Sequence, residues 1–447
     1  MKSRHPKGLP VLFFTEMWER FSFYGMRAIL VLYLTKETIG DNPGMGWSNS
    51  DALILYGWYT MLVYVMSIPG GIVADRFLGQ KKTVFLGGLF IAIGQLTLAV
   101  SGEAFFYTGL ILLIIGVGFL KPNISTMVGG LYKEGDPRRD SGFTIFYIGI
   151  NIGAATAPLI VGYVGEVYGW HIGFSLAGFG MILGQIIYLL GQKHLKTVGN
   201  YVPVPKIEGS KSNKPLTKIE KDRVVVLLIS FLIVIVFWGA YEQAGGLMNL
   251  YTKEKINRIV LGWEIPTSVF QSVPAIFVII FGTAVAAFWS RRNNKGKESS
   301  SIFKMAIGTI IMGTGFLMMS AAALEAQASG KALLIWLILS YLLQVIGELS
   351  ISPVALSFIT KLAPLKYASI MMGVYFAATG LGNKLAGLVG EFAQNAGEFE
   401  VFTGIFVFCV FFGLLLLVFF KKLKALTHGA EEIKLEEKLE AAEKLNT

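Results

Sequence analysis

The sequence predicts an all-α integral membrane protein whose helices fall into two bundles of six, with both chain ends on one face. Three observations carry that prediction. Only 15% of the 447 residues are charged while 54% are apolar, against the ~25% charge of an ordinary soluble protein. The apolar residues come in runs of ~20, repeated to the end of the chain, the length that crosses a hydrocarbon core of ~30 Å as an α-helix. The bases are gathered in alternate segments between those runs, as membrane topology requires. A soluble enzyme of 48.9 kDa would need two or three domains with charged surfaces, and this chain lacks the charge for them.

Twelve runs are read. Six occupy 9–35, 52–75, 83–101, 104–131, 142–165 and 171–191, and six occupy 224–250, 265–289, 302–324, 331–360, 367–390 and 399–420. None shows the alternation over ~10 residues that marks a membrane β-strand. The first run follows Lys2, Arg4 and Lys7 but contains Glu16, Glu19, Arg20 and Arg27. A cleavable signal peptide does not carry such charges, so this run is a permanent span. An even number of spans puts both ends on one side. That side carries thirty bases between Lys2 and Lys444, whereas the other carries Lys36, Lys253, Lys255, Arg258 and Lys331. Both termini are therefore expected in the cytoplasm. The net charge of +10 is accounted for by this topology, with no nucleic acid as partner.

Residues 192–222, polar and rich in Gly, Pro, Ser and Lys, read as a flexible cytoplasmic linker between bundles at 1–191 and 223–421. Residues 422–447 read as a charged cytoplasmic tail. GGIVADRFLGQKK, from Gly70 to Lys82, reads as the tight turn joining the second and third spans, with Asp75 free to accept hydrogen bonds from a helix end. Cys409, the single cysteine, forms no intramolecular disulfide. His5, His171, His194 and His428 lie near span ends or in the tails without metal-ligand spacing. There is no ATPase motif either, and no cofactor or metal is expected.

Ionisable residues inside spans are the candidate functional groups, because burying them in a membrane is expensive. In the first span Glu16, Arg20, Tyr24 and Arg27 are spaced four, four and three apart and share one helix face, with Glu19 beside it. Lys121 lies inside the fourth run, next to Pro122. Burial favours a neutral acid and a nearby cation favours the carboxylate, so protonation of such a cluster depends on its geometry. The second half supplies Glu242 in FWGAYEQ, Glu348 in GELSISP and Lys384 in LGNKLAG. The central cavity is thus expected to be basic on the N-terminal side and acidic on the C-terminal side. That polarity suits a zwitterion with a short backbone, as in a free peptide.

Five segments together resemble the proton-dependent oligopeptide transporter family of the major facilitator superfamily. They are ExxERFxxYG at Glu16 to Gly25, the loop GGIVADRFLG, FYxxINxG at Phe146 to Gly153, FWxxYEQ at Phe237 to Gln243, and GELxxSP at Gly347 to Pro353. The resemblance implies the facilitator fold and roles for individual residues. Glu16, Glu19, Arg20, Lys121 and Glu242 would couple protons, with Arg27 as the partner of Glu242. Arg27 and Lys121 would hold the peptide carboxylate, and Glu348 its amino terminus. Tyr24, Tyr64, Asn151, Gln271 and Tyr375 would line the cavity. Three positions depart from the family pattern: Phe23 where a tyrosine is usual, Pro274 where an amide is expected, and Tyr375 in place of a tryptophan.

The expectation is therefore a symporter that imports di- and tripeptides with protons, acting as a monomer in a bacterial inner membrane. A transporter of nitrate or another small organic anion on the same scaffold, and a peptide receptor that does not transport, are the alternatives. No nucleophile–base or metal constellation suggests an enzyme.

Overall fold

The structure is a computed structural model that describes residues 5–133, 136, 138–201, 216–364 and 368–430. Residues 202–215 of the linker, the end of the tail, and the bases Lys2, Arg4, Lys206, Lys211, Lys214, Lys366, Lys434, Lys438 and Lys444 lie outside the described residues. At its described ends the expected linker is ordered, with Leu195 and Val198 buried in the first core and a helix under way from Lys218. The long helices are α1 (Gly8–Thr35), α2 (Asn49–Leu78), α3 (Gln80–Leu98), α4 (Glu103–Gly130), α5 (Arg139–Val167), α6 (Trp170–His194), α7 (Lys218–Lys255), α8 (Thr267–Asn294) and α9 (Ser301–Ser329). They continue with α10 (Leu334–Leu362), α11 (Ala368–Ala396) and α12 (Glu398–Ala425). Ten are long and apolar enough to cross a membrane. Outside that set are α1, with its four ionisable residues, and α11, which carries Asn383, Lys384 and Glu391.

Local chemistry sets several boundaries. Ser48 caps α2 by accepting from the Asp51 amide at 3.1 Å. Thr217 and Glu220 form a reciprocal capping box at the start of α7, satisfying amides that the first helical turn leaves without partners. The segment read as a loop from Gly70 is helical as far as Leu78, and the chain turns at Gly79, where φ is +77°. Asp75 there is exposed and faces a cleft lined by Gln80 and Gly199. A two-stranded hairpin, Ile259–Val260 with Trp263–Glu264, joins α7 to α8.

Buried apolar residues form two large clusters, one built between Leu9 and Val198 and one between Val226 and Leu423. In the first half α1 packs against α5 and α6; in the second α9 packs against α10 and α12. α2 runs beside α11, joining the halves. α7 is broken at Glu242–Ala244 and resumes as a nine-residue piece, Leu247–Lys255. In that piece Leu247, Met248 and Tyr251 belong to the second core, while Leu250 belongs to the first. Cys409 is buried against α9, in the second core.

The first and last described segments are each tied to a neighbouring helix end. His5 bonds Tyr132, beyond the end of α4, at 2.9 Å, and His428 bonds Asp222, at the start of α7, at 2.7 Å. Other hydrogen bonds tie the halves together. Asn249 donates to the Ala28 carbonyl at 3.0 Å, Asn383 to the Thr60 carbonyl at 3.4 Å, and Asn49 to Glu254 at 3.1 Å.

Candidate functional site

α1 is buried along nearly its whole length, so charges on it must find partners within the protein. Glu16, Glu19 and Arg20 are 2%, 0% and 3% exposed. The Arg20 guanidinium reaches Glu16 Oε1 at 3.1 Å and also contacts Glu19. Glu16 Oε2 and Glu19 Oε1 are buried with no hydrogen-bond partner. An unpartnered buried carboxylate oxygen is costly, and a proton bound there would remove a charge. The Lys121 ammonium sits 3.8 Å from the centre of the Tyr64 ring. It acts on both glutamates through its field, whereas their ion pairs are made with Arg20.

Two turns further along α1, Arg27 meets the second half. Its Nη2 lies 3.2 Å from Glu242 Oε1, at the break in α7. Tyr56 of α2 bridges the pair: its hydroxyl accepts from Arg27 Nε at 2.8 Å and donates to Glu242 Oε1 at 2.8 Å. Arg27 and Glu242 are 8% and 5% exposed, so this pair sits in a low dielectric where its attraction is strong and its desolvation large. Gly245 makes room for it, because a methyl group there would stand 2.7 Å from Arg27 Nε and collide with the Tyr56 hydroxyl.

Between the halves lies a narrow cavity of about 80 Å³. Tyr24, Arg27, Tyr64 and Asn151 line it from the first half; Glu242, Gln271 and Glu348 line it from the second. Phe23 and Pro274, two of the departures from the family pattern, also face it. The cation and the two acids thus approach one space from opposite sides, although Arg27 and Glu242 are already engaged with each other. Tyr241 lies beside Glu348 in this lining, and Glu348 Oε2 is buried without a partner. The Gln271 amide donates to the Ala244 carbonyl at 2.5 Å and the Asn151 amide to the Tyr147 carbonyl at 2.9 Å. Lys121 and Tyr375 stand outside the lining. Among the described residues no three His, Cys, Asp or Glu gather to hold a metal ion.

Sequence reasoning missed Tyr56 and Tyr241. Tyr56 carried a signal, since Tyr56, Thr60 and Tyr64 recur every four residues along one face of α2. Tyr241 carried none, because its place beside Glu348 depends on how α7 packs against α10.

A family profile described as the POT family matches residues 81–205 and 204–403. The chain is 38% identical to the uncharacterized transporter YclF of Bacillus subtilis, over 88% of this chain and 89% of that one. It is 34% identical to a di-/tripeptide transporter of Lactococcus lactis subsp. cremoris, over 92% and 95%. Among solved structures, a mutant peptide transporter POT in complex with alafosfalin superposes with a TM-score of 0.88 at 33% identity, over 95% of this chain and 96% of that one.

Proposed function

The chain belongs to the POT family, and on that premise we propose that it is a proton-coupled symporter importing di- and tripeptides by alternating access. One observation carries the mechanism: Arg27 of the first half and Glu242 of the second are paired in the cavity that also holds Glu348. The similarity to a di-/tripeptide transporter supports the substrate class. The remaining assignments are a path of twelve spans in two bundles, 1–191 and 223–421, with the termini, the 192–222 linker and the 422–447 tail in the cytoplasm. The protein acts as a monomer in a bacterial inner membrane, and the face where the halves are tied together is the outer one.

In this mechanism the Arg27–Tyr56–Glu242 contact helps to hold the outer end shut. A proton on Glu242 neutralises the acid and releases Arg27, which then accepts the carboxylate of a peptide. Lys121 joins Arg27 on that carboxylate, Glu348 takes the peptide's amino terminus, and Tyr24, Tyr64, Asn151, Gln271 and Tyr375 contact the rest as the halves separate. Glu16, Glu19, Arg20 and Lys121 carry the coupling proton, since one proton there converts a balanced set of two acids and two cations into a net cation.

The test is uptake of labelled dialanine into proteoliposomes with an imposed inward proton gradient and a no-gradient control. Concentrative uptake that collapses with a protonophore is expected. Binding without accumulation would instead indicate a receptor, and competition by nitrate without peptide binding would indicate an anion transporter.

A further inference from the structure

The N-terminus of α8 lacks a cap of its own. The residue before it is Pro266, which has no side-chain acceptor, and no side-chain cap forms from within the second half. Yet the first turn of any helix presents backbone amides that need partners. Here they are satisfied from the first half: Glu166, in the last turn of α5, accepts from the Thr267 amide at 3.1 Å and from the Ser268 amide at 2.5 Å, one with each carboxylate oxygen. Thr267 and Ser268 are fully buried. A carboxylate on a helix N-terminus combines charge-assisted hydrogen bonds with the positive end of the helix dipole.

The first half is built to aim this carboxylate. α5 contains a wide turn at Pro158–Gly162, and such wide turns re-register the residues that follow. Gly162 lets the backbones meet, since a methyl group there would stand 2.6 Å from Ser268 Oγ. Asn42 then fixes the corner between α5 and α6. Its amide donates to the Gly165 and Glu166 carbonyls at 2.8 and 3.2 Å, and its carbonyl oxygen accepts from the Trp170 amide at 3.0 Å. The cations Lys36, Lys253 and Arg258 line the adjoining outer cleft.

We propose that Glu166 is a positioning residue of the transport cycle: it caps α8 across the interface only while the outer end is closed, so that opening outward leaves α8 uncapped. It touches neither the cavity nor the proton cluster. The proposal rests on the alternating-access reading above and adds a residue to it.

The experiment places a reporter cysteine at Leu53, which is buried against Gly246 and Gly390 of the second half, with Cys409 replaced by Ala. The rate at which an impermeant maleimide labels Leu53→Cys from outside reports the outward-open fraction. Glu166→Ala should raise that rate about 10- to 100-fold, and Glu166→Gln, which keeps the shape and loses the charge, by a smaller factor. The KM for external dialanine should fall as the competent state becomes more populated, while the maximal rate falls because reclosing is impaired. Pro266→Asp added to Glu166→Ala supplies α8 with a local cap. It should restore thermal stability and leave labelling fast. Labelling of Glu166→Ala within about twofold of the parent, or full restoration of slow labelling by Pro266→Asp, would overturn the proposal. Failure of the parent protein to transport dialanine would count against the transport reading alone, since labelling tests the latch separately.

Discussion

Replacing Tyr56 by Phe removes one oxygen and leaves the ring, so the change opens no cavity and isolates the bridge between Arg27 and Glu242. The hydroxyl makes two hydrogen bonds of 2.8 Å, both to charged groups, each worth about 1.5–3 kcal/mol. The direct ion pair at 3.2 Å survives and recovers part of that. The net destabilisation of the outer-closed state is then about 2 kcal/mol, or roughly a 30-fold rise in the outward-open population. The assay is the labelling rate of Leu53→Cys. A second arm adds Glu242→Gln: because both variants dismantle one contact, their combined effect should be far smaller than the product of the single effects. A change below about threefold for Tyr56→Phe, or strictly multiplicative effects, would refute the reasoning.

Four further outcomes are expected. Glu19→Gln keeps the packing but binds no proton, so gradient-driven uptake should fall by roughly tenfold or more while gradient-free exchange falls by less than about threefold; equal losses would make Glu19 structural. Glu348→Gln should raise the KM for free dialanine about tenfold and leave acetyl-dialanine unaffected, the loss of one charge-assisted contact; equal effects would remove Glu348 from amino-terminus recognition. Gly245→Ala places a methyl group 2.7 Å from Arg27 Nε, and should speed Leu53→Cys labelling by destabilising the closed end by about 1–3 kcal/mol; unchanged labelling would show that the site has slack. In the α4–α5 segment, hydrogen bonds from the Arg138 side chain and backbone hold Asp136 down at about 2. A depressed carboxylate stabilises the fold above its unfolded value of about 3.9 and loses that contribution as pH falls towards 2. Arg138→Ala should therefore leave the pH profile of uptake unchanged between about 5 and 8; a displaced profile would tie this loop to coupling.

Much of the architecture was legible because a bilayer imposes long-range rules on short-range sequence. Apolar runs depend on composition alone, and they located the long helices, with ends such as 224 and 390 falling short of Lys218 and Ala396. The α1 stripe was legible for a similar reason: helical spacing alone brings Glu16 to Arg20, and the ion pair at 3.1 Å forms within one helix. What spacing cannot reveal is which helix lies opposite. Tyr56 bonds a residue 186 positions away, and Glu166 bonds amides more than 100 positions away. The contact of the Lys121 ammonium with the ring of Tyr64 likewise depends on the relative rotation of α2 and α4. The turn expected from Gly70 began later because glycines between apolar residues can remain helical when a neighbouring helix packs closely against them, as α4 does here through the Asn123 bond to the Gly70 carbonyl.

The nine residues of α7 beyond its break are gripped from both sides, with Leu250 in one core, Leu247 and Tyr251 in the other, and Asn249 bonded to α1. Along the chain the first core gives way to the second between Val198 and Val226, so the place where the chain passes from one core to the other and the place where the cores grip each other do not coincide. Two polypeptides made by cutting within the linker would each present a surface shaped for the other: a bare leucine and an unsatisfied amide on one, their vacant seat beside Ala28 on the other. Co-expressed as separate chains, the halves should find each other in the membrane and reassemble without a peptide bond to hold them together.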